Sequence, residues 1–338
     1  MERPYGPEIK LVFDFESFQS KHESCIRETL LKYKNNISGI KIPLFHHRYH
    51  DVLEENIFLN NLKRIDIHSE DCGNEDCEKE HLELAIESCN SLIALYANKL
   101  EHLGIHGMDG WKEDENEINI SEIASLPNLT SLSLYGFVCT GSLYVINKVN
   151  FENITNLKLF QFEPRDFDIE DFDFRNLSDL SLDYVDEELS VALLKNNSRS
   201  LTKLQITFND VFGENSGDYD HEYSDIKFSK LKNLEIGKNE TVALNLIKNS
   251  KNSLEEIHIC DNLRTNLLQH VGKFKLPYVK KINFKINLEY LLSSNLVFSL
   301  IYAANENTII LLNNERICKA LLNHLRKKTR SVIRIQDL

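Results

Sequence analysis

Glycine and proline are both scarce in this chain, with 12 Gly and 6 Pro among 338 residues. The glycines do not cluster, so no Gly-rich loop of the kind that cradles phosphates is present. The G-x-S-x-G nucleophile turn and the H-E-x-x-H metal motif are missing as well. No stretch rich in Pro, Gly or Ser separates one part from another, so one continuous body is expected. Long apolar runs are also lacking. The most apolar segment near the C-terminus, residues 296–304, is far too short to cross a bilayer. The opening MERPYGPEIKLVFDF has no apolar run of signal-peptide length, so a cytoplasmic or nuclear protein is expected. On that expectation the Asn-x-Ser/Thr triplets at Asn119, Asn128, Asn153 and Asn176 are coincidences of an Asn-rich chain.

Positive charge is in deficit. Lys and Arg number 39 against 52 Asp and Glu, a net charge of -13. A general nucleic-acid binder needs a basic surface, so that class is excluded, and a protein partner, if charged, should be basic. Cysteine is present but unpaired in number. The seven (Cys25, Cys72, Cys77, Cys89, Cys139, Cys260, Cys318) are mostly scattered, which suits small buried thiols in a reducing compartment and not a disulfide framework.

What the chain has is a repeat. FLNNLKRIDI, YANKLEHLGI, LPNLTSLSL, FENITNLKL, FRNLSDLSL, SRSLTKLQI, FSKLKNLEI, KNSLEEIHI and LPYVKKINF share one spacing: an apolar residue, two others, an apolar residue, one other, an apolar residue. Indexed by the middle apolar residue, the copies sit at Ile65, Leu103, Leu132, Leu157, Leu180, Leu204, Leu234, Ile257 and Ile282, with steps of 38, 29, 25, 23, 24, 30, 23 and 25 residues. NISGIKI around Ile40 is an earlier copy, EIKLVF near Leu11 and TIILL near Ile310 are weaker ones, and VIRI (332–335) has the look of a last strand. Alternating side chains put the middle and last apolar residues of each copy on one face of a short strand. A single copy cannot bury that face, so copies must stack, and their strands must run parallel. Helical spacing lies between several of them: residues 83–99, 186–198 and 240–251 carry apolar residues three and four apart.

This pattern resembles the leucine-rich repeat, of the ribonuclease-inhibitor-like subclass, over nearly the whole chain. The resemblance implies an α/β solenoid (horseshoe) with a parallel concave sheet and a mainly helical convex side. One solenoid would span 1–338, with an N-terminal capping coil over 1–36 and C-terminal capping coils over 286–338. In the family an Asn after the strand turns the chain outward. Asn209, Asn239 and Asn262 fit that position; Phe137, Phe162 and Val185 depart from it, so those coils must close their turn another way. The pattern is similar, too, to the repeat half of F-box/leucine-rich-repeat proteins, which implies an alternative role as a ubiquitin-ligase substrate receptor, although residues 1–36 show no F-box.

The phase of the repeat selects the residues on the open face. Between the last two apolar positions sit Asp66, Gly104, Ser133, Lys158, Ser181, Gln205, Glu235, His258 and Asn283. One step past the last apolar residue come His68, His106, Tyr135, Phe160 and Asp183. Tyr135 and Phe160 fall on consecutive copies and should be neighbours, and aromatic anchors dominate binding surfaces. Partner-binding residues are therefore expected at His106, Trp111, Tyr135, Lys158, Phe160 and Asp183. The longer steps insert acidic loops just after strands, at 68–81, 106–119, 160–174 and 207–225, which would form an acidic rim that attracts a basic protein.

Two clusters raise a metal question. In HSEDCGNEDCEKEH, His68, Cys72, Cys77 and His81 offer the nitrogen and sulfur donors of a tetrahedral zinc site. The four-residue gap between the cysteines exceeds the usual two, so the expectation is an ornament of the rim; zinc there would be a structural clip. HHRYH (46–50) falls after an early strand and reads as a surface cluster. The basic LRKKTR (325–330) reads as the last turn of a helix, where the dipole favours cations. With no nucleophile or cofactor motif, the chain is expected to be a non-enzymatic protein-binding module without cofactor, membrane or nucleic-acid partner.

Overall fold

The computed structural model of the chain describes residues 11–14, 23–43, 59–68, 91–106, 126–135, 138–139, 151–164, 174–208, 220–264, 275–285, 300, 303–304, 307–312 and 332–335. The chain divides into two compact units, Met1–Asp173 and Phe174–Leu338.

In the first unit the repeated segments form strands β1 (Leu11–Asp14), β2 (Ile37–Pro43), β3 (Arg64–His68), β4 (His102–His106), β5 (Ser131–Tyr135) and β7 (Asn156–Phe160). Each pairs in parallel with the next. From β2 onward the register aligns Ile40, Ile65, Leu103, Leu132 and Leu157 side by side. Those residues and Ile42, Ile67, Ile105, Leu134 and Leu159 are buried. The period of two explains the register: a slip of one residue would move a whole strand's isoleucines and leucines into water. A third apolar position, three residues before the index, completes each coil's share of the core: Leu62, Leu100, Leu129 and Ile154 are all buried. Helix α1 (Glu23–Tyr33) lies between β1 and β2 and buries Ile26 and Leu30, four apart on one face. A second, minor parallel pair joins β6 (Val138–Cys139) to β8 (Glu163–Pro164).

The second unit repeats the plan with β9 (Asp179–Asp183), β10 (Lys203–Thr207), β11 (Asn233–Asn239), β12 (Glu256–Arg264), β13 (Lys281–Lys285), β14 (Ile309–Leu312) and β15 (Val332–Ile335), again parallel and in sequence order. Helices return the chain after some strands. They are α2 (Glu187–Asn197), the short α3 (Asp220–Asp225) and α4 (Glu240–Ser250). The helix expected at 240–251 buries Val242, Ala243, Leu246 and Ile247. Of the helix expected at 83–99, residues 91–96 are described and helical. HHRYH, the helical turn expected at LRKKTR and most of the acidic loops lie outside the described residues.

Coils are tied to one another at the strand entrance. At several strands the N–H just before the strand and the first N–H within it donate to one carbonyl of the preceding coil. Glu101 and His102 bond the Lys63 carbonyl at 2.8 and 3.0 Å, Thr130 and Ser131 bond that of Glu101 at 2.9 and 3.0 Å, and Thr202 and Lys203 bond that of Ser178 at 2.9 and 3.0 Å. Hydroxyls reinforce the ladder: Thr130 Oγ1 donates to the Glu101 carbonyl at 3.0 Å and Thr202 Oγ1 to that of Ser178 at 3.0 Å. Asn128 Nδ2 reaches the Asn98 carbonyl at 2.7 Å, and Asn153 Nδ2 reaches the Pro127 carbonyl at 3.0 Å. The Asn-x-Thr triplets at Asn128 and Asn153 are therefore no coincidence. They recur because Asn and Thr, two apart on the entering chain, both bond back to the previous coil.

The exits also follow local chemistry. Asn239 accepts from the Val242 N–H at 3.0 Å and so caps α4. Two coils without that Asn, those with Phe162 and Val185 at its position, turn through left-handed residues, Gln161 at φ 48° and Tyr184 at φ 57°. After Tyr184, Asp186 caps α2 by accepting from the Leu189 N–H at 3.0 Å. Buried Asn197 ties that helix to the sheet entrance, donating to the Leu193 carbonyl at 3.0 Å and accepting from the Leu177 N–H at 3.3 Å.

Because inward and outward positions alternate along each strand, adjacent substitutions should differ sharply. Leu204→Ala should destabilise by about 2–5 kcal/mol, while Gln205→Ala next to it should cost less than about 1 kcal/mol. Urea denaturation of the two variants checks this; similar costs would show that the alternation is misassigned.

Candidate functional site

Strands β3, β4, β5 and β7 end in His68, His106, Tyr135 and Phe160, and the register sets these four residues side by side. Strands about 4.8 Å apart bring rings at equivalent positions within stacking reach, so the side chains form one row. The His68 and His106 rings lie 3.8 Å apart between centroids and 21° from parallel, His106 and Tyr135 4.1 Å and 9°, and Tyr135 and Phe160 5.7 Å and 32°. Stacked aromatic pairs each contribute about 0.5–1.5 kcal/mol beyond area burial. All four rings are partly exposed at the end of the sheet face. Lys158 lies on the same face of β7, one step inward from Phe160, opposite Ser133.

The structure thus brings together His106, Tyr135, Lys158 and Phe160, as the phase of the repeat implies. It adds His68, which the spacing of the cysteine loop offers as a metal ligand; its ring is stacked on His106. Its three companions in that ligand set, Cys72, Cys77 and His81, lie outside the described residues, as does Trp111. Among the described residues no group of His, Cys, Asp or Glu is arranged to hold a metal ion. Asp183 belongs to the second unit, at the end of β9 opposite Thr207. Burial raises its pKa, a hydrogen bond with Thr207 lowers it and the charge of Glu235 raises it again. Gln205 Nε2 donates to its Oδ2 at 3.4 Å.

Beside the ring row runs a polar network absent from the sequence-based site. Asp66 is 6% exposed. Its Oδ1 lies 3.0 Å from His102 Nε2, its Oδ2 accepts from Arg64 Nε, and His102 Nδ1 lies 2.8 Å from Ser131 Oγ. His102 thus bridges the carboxylate of Asp66 and the hydroxyl of Ser131, so both its ring nitrogens are hydrogen-bonded. Burial alone would raise the Asp66 pKa. The bonds from His102 and Arg64, with their charges, outweigh it and hold the carboxyl at about 2. Gly104 makes room for this carboxylate, since a Cβ there would sit 2.3 Å from Asp66 Oδ1. Positions Arg64, His102 and Ser131 fall one residue before the index on successive copies, and aligning the copies at that position would have exposed the network.

Asp66, His102 and Ser131 have the connectivity of a nucleophile relay. An acyl-transfer site also needs donors for the developing oxyanion. Here the N–H groups of Thr130 and Ser131 are both spent on the Glu101 carbonyl. The network ties β3, β4 and β5 to one another as a cross-strand brace. A groove of about 600 Å³ lies at the opposite, entrance edge, lined by residues including Asn60, Lys63, Glu101 and Asn128. Its amides and ion pair are engaged in tying coils together: Asn60 bonds Asn35 at 2.8 Å, and Lys63 pairs with Glu101 at 2.5 Å.

The middle row is less open than alternation alone implies. Asp66, Ser133, Ser181 and Asn283 are all buried, because small or short side chains there sit below taller neighbours in the flanking rows. The exposed contact groups are the ring row and the longer side chains beside it. Comparison with protein-family models and with curated protein sequences returns no match.

Two outcomes follow from this geometry. Gly104→Ala should destabilise by about 1–3 kcal/mol through the clash with Asp66, and the cost should shrink in an Asp66→Ala background. Equal costs in the two backgrounds, measured by thermal melting, would refute the contact. The second concerns pH. Burial, then the charge of His68, lower the His106 pKa from 6.5 to about 4, against a smaller opposing effect of Asp66. The folded state therefore favours the neutral ring, while the unfolded chain takes up a proton near pH 6.5. Stability linked to this residue is fully present above pH 6.5 and is lost as pH falls toward 4. His106→Phe should flatten the dependence of melting temperature on pH across that window; an unchanged slope would show that His106 is not its source.

Proposed function

We propose that this chain is a leucine-rich-repeat protein of the ribonuclease-inhibitor-like kind, acting as a non-enzymatic module that binds another protein through the ring-bearing face of its first unit. In-register parallel strands at the repeat spacing, with helices returning the chain after β9 and β11, support the family reading. The observation that carries the functional reading is the row His68, His106, Tyr135 and Phe160. Four adjacent rings at the open end of a sheet form the kind of rigid aromatic surface that anchors interfaces. The rigidity matters because rings already stacked lose little freedom when a partner covers them. The polar network around Asp66 holds β3, β4 and β5 in place beneath them.

The test is a Tyr135→Ala/Phe160→Ala double variant in affinity purification from the source cell, compared with the parent chain by quantitative mass spectrometry. Partners enriched by the parent should fall by about tenfold or more, corresponding to at least about 1.4 kcal/mol. The variant's circular dichroism should stay native. Undiminished capture by a folded variant would remove the ring row as the binding surface.

A further inference from the structure

We draw no further inference here: the strongest candidate, the side-chain cluster of Asp66, His102 and His106 around Gly104 on β3 and β4, belongs to the site already described, where Asp66 and His102 spend their polar atoms on each other, on Arg64 and on Ser131, and among the described residues no such group is arranged to hold a metal ion.

Discussion

Register between coils is the constraint on which the rest of this structure depends. Each strand is only a few residues long, and its inward residues are buried only while the neighbouring strand holds the same phase. Two features fix that phase. Leucines and isoleucines at the index position line up across successive strands of each unit, and pairs of N–H groups at several strand entrances converge on one carbonyl of the coil before. The first is non-directional and supplies most of the driving force. The second is directional and admits one alignment, since a shifted strand would leave buried N–H groups without an acceptor.

The same registration builds the candidate site. Parallel strands in step turn equivalent positions of distant segments into rows, so rings separated by tens of residues in sequence become stacked neighbours. His68 and His106 are 38 residues apart in the chain and 3.8 Å apart between ring centroids. The row beside them shows how one glycine and one carboxylate depend on each other. Asp66 stays ionised under the sheet surface because Arg64 and His102 reach it, and it fits there because Gly104 has no side chain. A buried charge with its partners in place costs little, whereas the same charge stripped of one partner would be expensive. The brace is therefore a set of residues that must be present together, on the same strands and beside the ring row.

Much of this was legible in the repeat itself. The index residues from Ile65 to Ile282 all lie on strands, and even the weak copies near Leu11, Ile310 and the terminal VIRI are strands. The adjacency of Tyr135 and Phe160 was legible as well, because it needs only the phase. The Asn signal was harder. Asn239 does turn the chain out of its strand, as the family resemblance implies, but Asn128 and Asn153 at strand entrances do more to join coils, and in the sequence they look like stray glycosylation triplets. The coils that lack an exit Asn gave no hint of their solution, since Gln161 and Tyr184 are not residues whose chemistry favours a left-handed backbone.

By itself, then, the sequence determined the period, the parallel strands, the inward residues and the row on which each outward residue falls, because all of these follow from alternation within a strand and from the need to hide leucines. Only the tertiary structure decided how the side chains on those rows meet. It stacked His68 on His106 and buried Asp66 against Arg64 and His102. Those outcomes depend on side-chain reach, ring orientation and local dielectric across neighbouring strands, and none of these is encoded in the spacing of residues along one.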